Sequence, residues 1–336
     1  MGRKILSCIQ PTAEMHIGNY LGAVKNWVGL QEDNDCIFGI VDLHAMTMPY
    51  EPSRLRENTQ RMVVDLLASG IDVEKTILFI QSLVPEHTEL CWILNCLCPF
   101  GELRRMTQFK EKAEFLEGQG EGQFISSALF SYPVLQAADI LLYRAEQVPV
   151  GKDQEQHLEL SRLLARRFNT QFGVRFFPEP AALFTEVPKV MSLADPSKKM
   201  SKSLGPRHYV GLFEDEQSVR NKVRAAVTDS GTQAGDEMSP GVANLFGILD
   251  ACGKCEAASS LRGEYEAGKR QYRELKDAVA DALVELTSGL RARREALLRD
   301  SEAVMPKVKE MSDRARQAAV VTIKEVREIV GLPARG

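Results

Sequence analysis

The chain lacks any apolar run of membrane-spanning length, and its N-terminus lacks the pattern of a secretory leader. The expectation is therefore a cytoplasmic protein. It also lacks a surplus of positive charge: 42 Lys and Arg stand against 46 Asp and Glu, a net of −4. A protein that coats nucleic acid non-specifically shows a basic balance, so total charge gives that role no support, although local basic patches stay open. Seven cysteines, an odd number, argue against a disulfide framework. Cys252-Gly253-Lys254-Cys255 has metal-ligand spacing, but no second pair lies nearby to complete four ligands, and no metal site is expected. Cys96-x-Cys98 sits in an apolar stretch and reads as two buried thiols. Internal repeats and low-complexity segments are missing too.

What is present is length and alternation. With 336 residues the chain suits one large α/β unit and a smaller lobe. Lys4 to Ile9, Cys36 to Val41 and Thr76 to Gln81 read as near-continuous apolar strands. Between them, Ile17 to Gln31 and Ser53 to Ser69 read as helices, the second with Ser53 as N-cap and Gly70 as C-cap. A β-α-β-α-β order with buried strands means a parallel, Rossmann-type sheet. Val148 to Gly151 reads as a short strand ending in a tight turn. Helices are expected over Glu86 to Leu97, Gly101 to Ala113, Phe124 to Tyr143 and Asp153 to Phe168, with a Gly- and Glu-rich mobile insertion from Glu114 to Gln123. Past Ser203 the pattern is almost wholly helical: Glu216 to Val227, Val242 to Ala251, Gly268 to Asp300 and Val304 to Val330, with a loop from Gly231 to Pro240. The fold class expected is α/β, a Rossmann-type parallel sheet with an all-helical C-terminal lobe. Residues 1–193 form the catalytic domain, 194–300 the loop and helical lobe, and a terminal helix at about 301–336 packs back on the first.

Ligands of such sheets sit outside the carboxyl ends of the strands. His16-Ile17-Gly18-Asn19 follows the first strand and opens a helix, where unpaired N–H groups and the positive dipole end favour phosphate. Gly18 lets a ring or phosphate approach the backbone, and His16 and Asn19 add donors. Far downstream, Lys198-Lys199-Met200-Ser201-Lys202-Ser203 packs three lysines into five positions between Asp195-Pro196 and Gly205-Pro206. Together they make two walls able to close on a nucleoside triphosphate. On α-helical spacing, Tyr132, Gln136 and Asp139 share one face, among the apolar neighbours Val134, Leu135, Ala137, Ala138 and Ile140. That setting suits a pocket better than a solvated face.

These strings resemble the HIGH and KMSKS signatures of class I aminoacyl-tRNA synthetases. The second match is complete, and the first ends in Asn19. Gly39 to Ala45, Gly101 to Lys112, Ala137 to Tyr143, Val148 to Gln154 with His157, and Ala226 to Ser230 narrow the resemblance to bacterial-type tryptophanyl-tRNA synthetases. It covers nearly the whole chain. The resemblance implies ATP-dependent activation of L-tryptophan, then transfer to the 3′-terminal adenosine of tRNA(Trp), with Mg²⁺ arriving on the ATP, in a homodimer. It implies that Lys112, Lys199, Ser201, Lys202, His16 and Asn19 serve catalysis. It places Gln10, Gly18, Gly151, Asp153, Val190 and Met200 with these around ATP. It places Asp139 on the indole N–H, Tyr132, Gln154 and Gln10 at the amino-acid end, and His44, Val41, Val148 and Val150 along the ring.

Departures from the commonest pattern fall in the same pocket: Leu6 and Cys8 replace an aromatic and a glycine, and Gln136 a methionine. Tyrosyl-tRNA synthetases carry a similar Tyr-x-x-x-Gln-x-x-Asp helix, so that motif leaves two amino acids open, and the flanking segments favour tryptophan. A non-catalytic tryptophan- or RNA-binding relative is the rival reading, and retention of Lys112, Lys199 and Lys202 argues against it. Candidate RNA contacts are Arg104-Arg105, Arg166-Arg167, Lys222-Val223-Arg224 and Arg291-Ala292-Arg293-Arg294.

Overall fold

The computed structural model describes residues 2–11, 14–117, 125–151, 154–184, 189–228 and 238–334. Among them runs a five-stranded sheet of β1 (Lys4–Ile9), β2 (Asp35–Ile40), β3 (Ile77–Ile80), β4 (Gln147–Pro149) and β5 (Ala181–Leu183). Its order is β3-β2-β1-β4-β5, and every pairing is parallel. The sequence expectation omitted β5, a three-residue edge strand too short to leave a pattern.

The strands are apolar on both faces because both faces are covered, and the alternation sorts the side chains. Ile5, Phe38, Leu78 and Ile80 point into one core. Leu6, Ile37 and Phe79 point into the other. The first core is built with α4 (Pro52–Ala68), α10 (Glu216–Arg224), α11 (Pro240–Ala251) and α13 (Tyr272–Arg299). The second is built with α5 (Glu86–Asn95), α8 (Ser127–Leu142), α9 (Glu155–Phe172) and the later turns of α14 (Ser301–Val330). The sheet face and the C-terminal helices thus share one continuous apolar core. The last helix packs on β3 and α5, where Ser312 Oγ accepts from the Ile80 N–H at 3.1 Å.

Local chemistry moves several expected boundaries. The helix expected from Ile17 is a short α1 (Ile17–Asn19), a π-helical turn over Tyr20–Val24 and α2 (Lys25–Leu30). Ser53 is not an N-cap: α4 starts at Pro52, whose fixed φ and missing N–H suit the first helical position, and Glu51 is the cap. Between α11 and α13 lies α12 (Cys255–Glu266), which the sequence expectation omitted. Gly268, with φ of 85°, breaks the chain before α13, so that helix starts later than expected. Of the expected insertion, 114–117 continue α7 (Thr107–Glu117), while 118–123 lie outside the described residues, as do 231–237 of the expected loop. Cys96 is exposed rather than buried, because α5 ends just before it.

A candidate active site at the switch point of the sheet

From β1 the chain moves outward through β2 to β3, then returns to β4 on the other flank of β1. The β1–β4 pairing is registered at Ile5↔Gln147. Residues past that pair on both strands line a crevice, the position where sheets of this topology take ligands. A cavity of about 310 Å³ opens there. All the residues expected at the amino acid line it: Leu6, Cys8 and Gln10 from β1 and its exit, Val41 and His44 after β2, Tyr132, Gln136 and Asp139 on α8, and Val148, Val150 and Gln154 after β4.

Asp139 forms the floor and is 2% exposed. Its Oδ2 accepts from His44 Nε2 at 2.9 Å, and its Oδ1 accepts from Gln81 Nε2 at 2.7 Å. His87 Nδ1 stands 2.6 Å from the same Oδ1, close but outside hydrogen-bond geometry. Burial pushes the Asp139 carboxyl up, but His87 and His44 outweigh it and hold the pKa at about 2. A charged, almost fully buried acceptor therefore lines the cavity. Burial, then the Asp139 charge, drive the Cys8 thiol up, so it stays neutral.

The other end of the cavity is polar. Tyr132 Oη lies 2.8 Å from His157 Nε2 and 3.2 Å from Gln108 Oε1. Gln136 Nε2 donates to Gln154 Oε1 at 3.5 Å. Neutral amides and a hydroxyl can hold an ammonium and a carboxylate without abolishing either charge. Gln81 and His87 went unnoticed in the sequence, while Gln108 and His157 stood in segments of the resemblance without a site role. Gln81 had one legible signal, a polar residue at the carboxyl end of a buried parallel strand.

Above the cavity the two signature segments meet. His16 and Asn19 cap each other: His16 Nδ1 accepts from the Asn19 N–H at 3.3 Å, and Asn19 Oδ1 accepts from the His16 N–H at 3.2 Å. An accepting Nδ1 puts the ring proton on Nε2, a neutral imidazole with one donor. Burial, then Lys202 and Lys199, lower the His16 pKa to about 4, in agreement. A Cβ on Gly18 would stand 3.4 Å from Met200 Cβ, so the segments touch. The stretch after the lysine loop completes the closure, with the Ile17 N–H donating to Val210 O at 3.0 Å and the Leu212 N–H to Met15 O at 2.8 Å.

Lys199 is exposed, whereas Lys202 Nζ is buried, without a hydrogen-bond partner, 5.7 Å from the Tyr209 ring centroid. Burial lowers the Lys202 pKa to about 8. Ser201 Oγ pairs with Ser203 Oγ at 2.9 Å. Val190 and Met200, expected near a base, are buried, and the Met200 N–H donates to Val190 O at 3.1 Å. Gly151 is exposed just past β4. Asp153 lies outside the described residues, as does the side chain of Lys112.

The family model for class I tRNA synthetases (W and Y) matches residues 3–288. The chain belongs to that family. Among curated relatives, tryptophan–tRNA ligase 2 of Streptomyces avermitilis is 44% identical over 99% of this chain and 98% of its own. Among solved structures, tryptophanyl-tRNA synthetase from Mycoplasma pneumoniae superposes with a TM-score of 0.86 at 33% identity, covering 99% of each chain. The Campylobacter jejuni enzyme, solved with ADP and tryptophan, gives 0.82 at 32% identity over 98% of this chain and 99% of its own.

Proposed function

We propose that the chain is a tryptophan–tRNA ligase whose reaction is divided between the two ends of the crevice. Tryptophan enters the cavity ring first, and its indole N–H meets Asp139. His44, Val41, Val148, Val150, Leu6 and Cys8 flank the ring. Tyr132, Gln136, Gln154 and Gln10 hold the ammonium and carboxylate. The observation that carries this reading is the buried Asp139 carboxyl, held by His44 and Gln81, in the lining of a cavity of about 310 Å³.

The substrate is ATP with its Mg²⁺. The tryptophan carboxylate is already a nucleophile, so no base is needed. Its oxygen attacks the α-phosphorus, the bond to the bridging oxygen of the β-phosphate breaks, and pyrophosphate leaves with that electron pair. The barrier is orientation and charge. Lys199, Lys202, Ser201 and Lys112 neutralise the departing pyrophosphate. His16, through Nε2–H, and Asn19 donate from the opposite wall. Gly18 gives access to the backbone, Gly151 and Asp153 hold the ribose, and Val190 and Met200 flank the adenine. The 2′-hydroxyl of the tRNA 3′-terminal adenosine then attacks the acyl carbon and releases AMP.

Residues 1–193 with the last helix act as the catalytic domain, and 194–300 as the mobile loop and tRNA-reading lobe, in the cytoplasm. Two copies associate through an apolar surface on which Trp92 and Phe100 are 72% and 68% exposed. The test is tryptophan-dependent exchange of labelled pyrophosphate into ATP, and exchange with tyrosine but none with tryptophan overturns the reading.

A further inference from the structure

We infer that Gln81 is a specificity-determining positioning residue, which leaves Asp139 one free acceptor position and aims it into the cavity. The inference rests on the reading that Asp139 meets the indole N–H.

A carboxylate offers about four acceptor positions. On Asp139 Oδ1, Gln81 Nε2 at 2.7 Å takes one and His87 Nδ1 at 2.6 Å crowds the other. His44 Nε2 at 2.9 Å takes one on Oδ2. What remains is one position on Oδ2. His44 and Asp139 line the cavity, whereas Gln81 and His87 stand behind it, so the remaining position faces the ligand. A ring with one N–H satisfies it. A phenyl ring leaves it unpaired, the arrangement that discriminates most strongly.

Gln81 acts on both cavity groups at once. Its Oε1 accepts from the Leu43 N–H at 3.2 Å, and Leu43 precedes His44 in α3 (Asp42–Ala45). One amide therefore ties the acid to the helix that presents its imidazole partner. Its orientation is fixed: turned over, it would set its oxygen against the carboxylate and its NH₂ against an N–H. Gln81 is fully buried, so water offers no alternative partner. Behind it, His87 is braced by Tyr143 Oη, 2.9 Å from Nε2, and by stacking on Phe79 at 5.4 Å.

The test uses the full-length enzyme and pyrophosphate exchange with tryptophan, tyrosine and phenylalanine. Gln81→Met keeps length and bulk and removes both hydrogen bonds. The expected result is a KM for tryptophan raised about tenfold and a tryptophan-to-phenylalanine ratio of kcat/KM lowered at least as much. KM for ATP should stay within about twofold, a split that a general loss of structure would not give. Gln81→Glu sets a second carboxyl against Asp139, and the two share one proton. Its kcat/KM for tryptophan, relative to the unsubstituted chain, should rise as pH falls from 8 to 5.5. An unchanged selectivity ratio in folded Gln81→Met overturns the inference. If that variant does not fold, a flat relative pH profile for Gln81→Glu overturns it. Asp139→Asn separates the two readings: if it collapses the ratio while Gln81→Met does not, only Gln81 loses its role, and if it too leaves the ratio intact, Asp139 is not the indole reader.

Discussion

Arg294 Nε donates to Asp65 Oδ1 at 2.7 Å, while Asp65 Oδ2 is buried beside it without a hydrogen-bond partner. The pair joins α4, which covers the sheet, to α13 of the C-terminal helices. Its neighbour Arg291 donates from Nη1 to Glu214 O at 2.6 Å. Two arginines of the Arg291–Arg294 run, a candidate RNA contact on sequence alone, are thus spent on packing: Arg294 ties α13 to α4, and Arg291 ties it to the segment just before α10.

Removing Arg294 strands a buried carboxylate. Burial already raises the Asp65 pKa, against the pull of Arg294, and Arg294→Met should raise it further. An acid with a raised folded pKa costs stability because the unfolded chain ionises first: nothing is lost below the unfolded value of about 3.9, the loss grows from there up to the folded value, and it is complete above it. Arg294→Met should therefore cost roughly 3 kcal/mol at pH 8 and clearly less at pH 5. Urea unfolding at both values checks this, and equal losses would mean that only packing had been removed.

Gly39 is required by its neighbours on adjacent strands. A Cβ there would stand 2.7 Å from Phe79 Cζ and 2.8 Å from Cys8 Sγ. Gly39→Ala should destabilise by about 1–3 kcal/mol through overpacking. Cys8→Gly removes one of the two obstacles, so the double variant should recover part of that loss, roughly 1 kcal/mol of coupling. Thermal unfolding of the four proteins measures it, and strict additivity would show that Cys8 does not crowd the site.

How much of this was legible follows from distance along the chain. The parallel sheet was readable because each strand is a local apolar run; helical spacing put Tyr132, Gln136 and Asp139 on one face and a strand exit put His44 on the ligand side, whereas the rest of the cavity lining followed only from the family resemblance. The Asp139 clamp was not readable, because Gln81, His87 and His44 reach it across 58, 52 and 95 positions, and only packing brings them together. Likewise the Lys-rich loop announced positive charge, but not that Lys202 turns inward beside Tyr209. The mutual capping of His16 and Asn19 was half visible: the helix start was clear, the imidazole's tautomer was not.

Trp92 lies on α5 and Phe100 opens α6 (Phe100–Arg105), both widely exposed. If this surface joins two copies, Trp92→Glu should shift the enzyme to monomer by placing a charge in an apolar contact. Sedimentation at micromolar concentration reads the result. A Trp92→Glu protein that stays dimeric moves the interface elsewhere.

The last expectation concerns pH and ATP. Lys202 has its pKa pushed down to about 8 by burial, so it carries its proton at pH 7 and has lost most of it by pH 9. A lysine whose charge meets the triphosphate should therefore make ATP binding weaken as pH rises through that value. KM for ATP should climb roughly tenfold between pH 7 and 9, following the neutral fraction. Arginine stays charged over this range, though its planar head fits the site less well. Lys202→Arg should accordingly start with a higher KM yet show a flatter rise. Steady-state pyrophosphate exchange at five or six pH values decides it. The same slope in both proteins would assign the titration to another group and leave Lys202 without a charge-dependent role in binding ATP.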